Sequence, residues 1–205
     1  MDIKGKAEVL VMYIQSLADF QFVDIDRDYN HMGAAITDAI LQSGINYDNV
    51  VRPRVRKMRE QHPEAATVTG FVNLLQQQGP NRLLNWEGRK PVWVQSLALF
   101  LQAEQIETEP ELNRWIQLRG NIDRLKKLNG IGVKTADYLG SLVNVDTVAI
   151  DHHLRKFVDD AGVIAKDDAE VKRVIETAAT LLGVSRINID RSIWRFMARK
   201  KPRRC

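Results

Sequence analysis

The chain has 205 residues, enough for one globular unit or two small subdomains. Hydrophobic residues make up 44% and charged residues 27%, which excludes a disordered chain and allows a true core. The formal net charge of +4 permits a polyanionic partner, and the single cysteine, Cys205, excludes disulfide scaffolds and cysteine-ligated zinc or iron–sulfur sites within one chain.

Helical periodicity dominates from the N-terminus onward. Met1 to Lys6 leads into an amphipathic stretch without a small-residue cleavage site, so no signal peptide is expected. Apolar residues Val9, Leu10, Met12, Tyr13, Ile14 and Leu17 predict a helix over 6–20. Residues 32–42 read as a helix buried on most faces, stopped by Ser43-Gly44. Further helices are expected over 48–60, with Pro53 early, over 66–77, over 91–105, with Pro91 in the first turn, and over 109–118. Residues 143–150 are the best candidate for a strand, and 152–159 for a helix capped by Asp151. No apolar run approaches the roughly 18 residues of a membrane helix. The expected class is all-α. Positive charge gathers at Arg52, Arg54, Arg56 and Lys57 and in the tail Arg199-Lys200-Lys201-Pro202-Arg203-Arg204.

The most informative segment runs from Leu125 to Leu139. Ile122, Leu125 and Leu128 bring one apolar face up to Gly130-Ile131-Gly132, and Ala136, Leu139 and Leu142 repeat the pattern beyond it. Two helices are thus joined with almost no loop. Ile131 can plug the junction, and the second helix offers its free N–H groups to an anion. Asn129, Gly130, Ile131, Gly132 and Thr135 are therefore candidate contacts to a DNA phosphate, made without base preference.

This string resembles the helix-hairpin-helix DNA glycosylases of base excision repair, and is most similar to the endonuclease III branch. The similarity is densest over 121–158 and looser from about 32 to Asp190-Arg191-Ser192-Ile193-Trp194. It implies a six-helix barrel over 32–145, containing the hairpin at 121–143. A second helical subdomain would combine 1–31 with 146–205. It implies double-stranded DNA carrying a damaged base or abasic site as the partner, at a cleft between the subdomains. A monomer is expected, in the cytoplasm with the nucleoid in a prokaryote or in the nucleus of a eukaryote.

The resemblance also implies chemistry. Lys134, two residues after the second hairpin glycine, matches the lysine that attacks the sugar C1′ in bifunctional members. A neutral amine displaces the base and forms a Schiff base, which permits β-elimination. Lysine must lose its proton first, which desolvation, a cationic neighbour or a helix N-terminus favours. Asp151, seventeen positions later, matches an aspartate that stabilises positive charge on the sugar. His153 is a further phosphate-contact candidate. The reaction needs no cofactor or metal. A side chain must fill the gap left by the extruded base, and Gln42, Ile45 and Asn46 are the wedge or pocket candidates. Ile45 stands where relatives carry glutamine. The four cysteines of the endonuclease III iron–sulfur cluster are missing, so no cluster is expected, and packing of Trp194 and Phe196 is a candidate replacement.

Other readings remain open. The lysine step could be absent, leaving a monofunctional glycosylase, or the hairpin could serve a non-catalytic DNA-binding protein. Asp151-His152-His153 also resembles the DHH phosphoesterases, with Asp24, Asp26, Asp28 and His31 as further ligands for Mn²⁺, but the alternating strand–helix pattern of that fold is missing. The same acidic run fails as an EF-hand, because Tyr29 stands where glycine belongs and Ala35 where glutamate belongs. His152 and His153 read as exposed helix-start residues. Trp86, Trp93, Trp115 and Trp194 read as core residues that could also stack on a base.

Overall fold

The computed structural model of the chain describes residues 1–23 and 29–200. Asp24, Asp26, Asp28 and the tail 201–205 lie outside the described residues, as does the side chain of Lys200. Every regular element among the described residues is helical, so the all-α class holds. The chain divides into two units, one from Arg27–Val145 and one from Met1–Asp26 with Asp146–Cys205.

The Arg27–Val145 unit is built around α2 (Met32–Leu41), every residue of which is buried. His31 caps its start, and Gln42 and the positive-φ Gly44 end it. A π-helical turn, Tyr47–Val51, leads into α3 (Arg52–Gln61), with Pro53 in the first turn, where a missing N–H costs little. A 3₁₀ turn (Pro63–Ala66), α4 (Val68–Gln78), a short α5 (Pro80–Leu84) and α6 (Lys90–Ala103) follow. Next come α7 (Glu109–Gln117), opened by a Thr108–Glu111 capping box, α8 (Asn121–Leu125) and α9 (Val133–Leu142). Helix α2 packs against α3, α4, α6 and α9. Its core includes Ile36, Ile40, Phe71, Leu75, Leu97, Leu101, Leu125 and Leu139.

The other unit holds α1 (Ile3–Ser16), α10 (His152–Asp160), α11 (Asp168–Leu182) and α12 (Arg186–Lys200). Helix α1 lies on α11, where the half-buried Lys6 ammonium donates to Glu170 at 2.7 Å. Phe20, Phe157 and Phe196 meet edge-on or tilted at 5.4–5.9 Å between ring centres. Trp194 and Phe196 pack against this core.

Two expectations need correction. Residues 143–150 form no strand: no partner strand exists among the described residues. Their apolar residues Val148, Ala149 and Ile150 are buried instead in an irregular strap. The first helix spans Ile3–Ser16 rather than 6–20, because Asp2 accepts from the Gly5 N–H and starts it three residues early.

Candidate functional site

The hairpin occupies Asn121–Leu142. Its first helix is short and tapers into tight turns: the N–H groups of Lys127, Leu128 and Ile131 donate to carbonyls three residues back. The three-residue spacing of Ile122, Leu125 and Leu128 suits that tightened winding. Ile131 is buried and closes the junction, whereas Asn129, Gly130, Gly132 and Val133 are exposed. Thr135, in the first turn of α9, is buried, so its side chain is withdrawn from solvent.

The two glycines have different tasks. Gly130 has φ +83°, and a Cβ there would lie 2.4 Å from Cδ2 of Trp93. The fold itself requires glycine at 130. Gly132 has φ −89°, open to any residue, and a Cβ there would meet nothing within 4 Å. No side chain caps α9. The missing side chain at 132 therefore leaves the first-turn amides uncovered toward solvent, an arrangement suited to an anion. Lys127 is exposed beside the turn, and Lys126 pairs with Asp123 at 2.6 Å.

Lys134 is the second residue of α9. Its Nζ donates to Oε1 of Gln42 at 3.2 Å. One turn farther on α9 and one turn back on α2, the Tyr138 hydroxyl donates to Oδ1 of Asp38 at 3.3 Å. These two rungs run the helices antiparallel and fix their register. Asp38 is fully buried and also accepts from Tyr29 at 2.6 Å and Tyr47 at 2.9 Å. Burial, and then the Asp38 charge, push the Tyr29 phenol above its ordinary range.

Lys90, which the sequence did not single out, joins the same corner. Its Nζ donates to the carbonyls of Leu41 at 2.7 Å and Ser43 at 2.6 Å, on either side of Gln42. It thereby satisfies carbonyls at the negative end of α2. The amine also lies 5.5 Å from the centre of the Trp86 ring. Burial first, and the neighbouring Lys134 charge second, lower the Lys90 pKa.

The wedge candidates do not share one orientation. Gln42 faces Lys134, and Ile45 is half-buried against the core. Asn46 is exposed, but its Oδ1 accepts from the Asn49 N–H at 3.0 Å and starts the π-helical turn.

Asp151 belongs to the other unit. Its Oδ1 accepts from the N–H groups of His153 at 2.8 Å and Leu154 at 3.1 Å, so it caps α10. The strap before it is tied down at two points. The Ala149 N–H donates to Asp190 Oδ2 at 2.7 Å, and the Ile187 N–H donates to Asp146 Oδ1 at 3.2 Å. His153 is not an exposed helix-start residue: it is buried, edge-on to Trp194 at 6.0 Å. His152 is exposed.

His31 does not stand as a free ligand either. Its Nδ1 accepts from the Ala34 N–H at 3.1 Å, and its Nε2–H donates to the His62 carbonyl at 2.9 Å. Among the described residues, no three His, Cys, Asp or Glu side chains gather as a metal would require. The cationic cluster on α3 is largely engaged: Arg52 pairs with Asp48 and Arg56 with Glu60, while Arg54 donates to the Leu84 and Asn85 carbonyls. No helix among the described residues is long and apolar enough to cross a membrane.

No curated protein and no solved structure matches the chain. A family model described as a domain of unknown function (DUF8548) matches residues 8–198, and the chain belongs to that family.

Proposed function

We propose that the protein is a helix-hairpin-helix DNA glycosylase that removes a damaged or mismatched base and cleaves the abasic strand through Lys134. The observation that carries this reading is local. An amine held by a neutral amide stands in the first turn of an uncapped helix, directly after a glycine hairpin with exposed backbone. The hairpin would hold a DNA phosphate through the amides beyond Gly132, with Lys127 adding charge.

In this reading the Lys134 amine attacks C1′ as the bond to the base breaks, and the base leaves with a proton. Opening of the sugar ring gives a Schiff base on Lys134. Loss of a 2′ proton then expels the 3′ phosphate by β-elimination. Asp151 would stabilise the positive charge that develops on the sugar. The reaction as written uses no cofactor. Borohydride reduction of the Schiff base, giving a covalent adduct with abasic duplex, tests the reading.

A second reading, a DNA-binding hairpin without chemistry, draws on Asp151. Its carboxylate already has a structural task as the cap of α10. Base release from a panel of duplexes carrying oxidised, alkylated and deaminated bases separates the two, since a pure binder releases none.

A further inference from the structure

Gln42 is the residue immediately after α2, and its N–H still donates to the Asp38 carbonyl. The backbone on both sides is held by one cation, since Lys90 takes the Leu41 and Ser43 carbonyls. The side chain then has a single hydrogen bond, from Lys134 Nζ to its Oε1, while its Nε2 is buried with no hydrogen-bond partner. A buried unpaired donor is a standing cost that an apolar side chain of the same size would avoid. The Lys134 contact therefore decides which way the amide faces: turned over, it would present N–H groups to an ammonium.

The acceptor's neutrality has a chemical consequence. An amide oxygen accepts from an ammonium or from a neutral amine. A carboxylate in the same place would stabilise the ammonium and oppose loss of its proton. The charged and titratable groups placed around this corner include Lys90 from α6, Asp38 from α2, and the buried Asp137 and Tyr138 from α9 itself, and Lys134 has interactions besides the one with Gln42.

We infer that Gln42 is a positioning residue for Lys134: a neutral acceptor, fixed by the grip of Lys90 on its flanking carbonyls, that aims the amine without holding its proton. This gives Gln42 an inward task in place of a wedge. Its catalytic meaning rests on the glycosylase reading, but the contact itself does not.

Gln42→Glu keeps the acceptor and adds a charge, and Gln42→Met keeps the volume and removes the acceptor. The direct readout is acylation of Lys134 by acetic anhydride, followed across pH by peptide mass spectrometry, which requires no catalysis. In Gln42→Glu the pH of half-maximal labelling should rise by about one unit or more, the effect of an adjacent opposite charge. An unchanged midpoint would overturn the inference. Borohydride trapping on abasic duplex supplies the second readout. Gln42→Met should trap about tenfold more slowly at every pH with DNA affinity nearly unchanged, and Gln42→Glu should regain the wild-type rate at higher pH. Wild-type trapping rates in both variants would also overturn it. A shifted labelling midpoint in a protein that never traps would support the contact and remove the glycosylase reading.

Discussion

Gly130 packs so close to the indole of Trp93 that a single added methyl group would sit 2.4 Å from the ring. Gly132, two residues on, touches nothing within 4 Å of where its Cβ would be. The hairpin therefore contains one glycine that the fold requires and one that it does not.

The two positions should separate folding from DNA binding. Gly130→Ala combines a left-handed backbone with overpacking and is expected to cost about 3 kcal/mol. Gly132→Ala should change stability by no more than about 0.5 kcal/mol while weakening duplex binding about tenfold at fixed salt, because its methyl group covers the helix-start amides. Urea melts and a fluorescence anisotropy titration check both.

Asp38 should be a stability centre. Asp38→Ala leaves the hydroxyls of Tyr29, Tyr47 and Tyr138 without their carboxylate and is expected to cost about 3 kcal/mol or more. Tyr138→Phe removes one donor and should cost about 1 kcal/mol. Chemical denaturation of the two variants provides the comparison.

Acid should destabilise the protein through His31. Burial lowers its pKa below the ordinary value of 6.5. The unfolded chain therefore takes up a proton at a pH where the folded chain does not. Stability is full above about pH 6.5 and falls as the pH drops from there toward the lowered folded value. Glu170, held low chiefly by Lys6, adds a second loss at more acidic pH, below the ordinary carboxyl range. Urea midpoints measured from pH 7.5 to 5 should fall in the wild type. His31→Asn, which can still cap α2 without titrating, should flatten the upper part of that curve.

Asp151 has two tasks to separate. Asparagine caps a helix about as well as aspartate, so Asp151→Asn should retain stability within a few tenths of a kcal/mol, whereas Asp151→Ala should lose about 1 kcal/mol. Base release should fall about 100-fold or more in both. Full base release by a stable Asp151→Asn protein would reduce Asp151 to a cap.

Local signals carried much of this structure. Period-3.6 apolar stripes gave most of the helices near the hairpin, and Asp151 was readable as a cap. Long-range contacts were the blind spot. Lys90 follows Gly88-Arg89 with no local sign of a task, and its partners at Leu41 and Ser43 lie 49 and 47 residues away. His31 beside an acidic run suggested a ligand, because its bond to the His62 carbonyl has no local trace. The strap at 143–150 has the composition of a strand but, among the described residues, no strand to pair with. Two further local signals stand in the sequence. Asp38 is a carboxylate inside an apolar helix. Asp167 and Glu170 form a capping pair before α11, with the Glu170 N–H donating to Asp167 at 2.8 Å and Glu170 accepting from the Lys166 N–H at 2.7 Å.

The most direct measurement is borohydride trapping on a duplex with one abasic site, with the modified peptide identified by mass spectrometry. The wild type should form a covalent adduct at Lys134, and Lys134→Ala should bind the duplex with similar affinity and form none. An adduct mapped to another residue, or no adduct from a wild-type protein that binds the duplex, would contradict a lysine-based glycosylase.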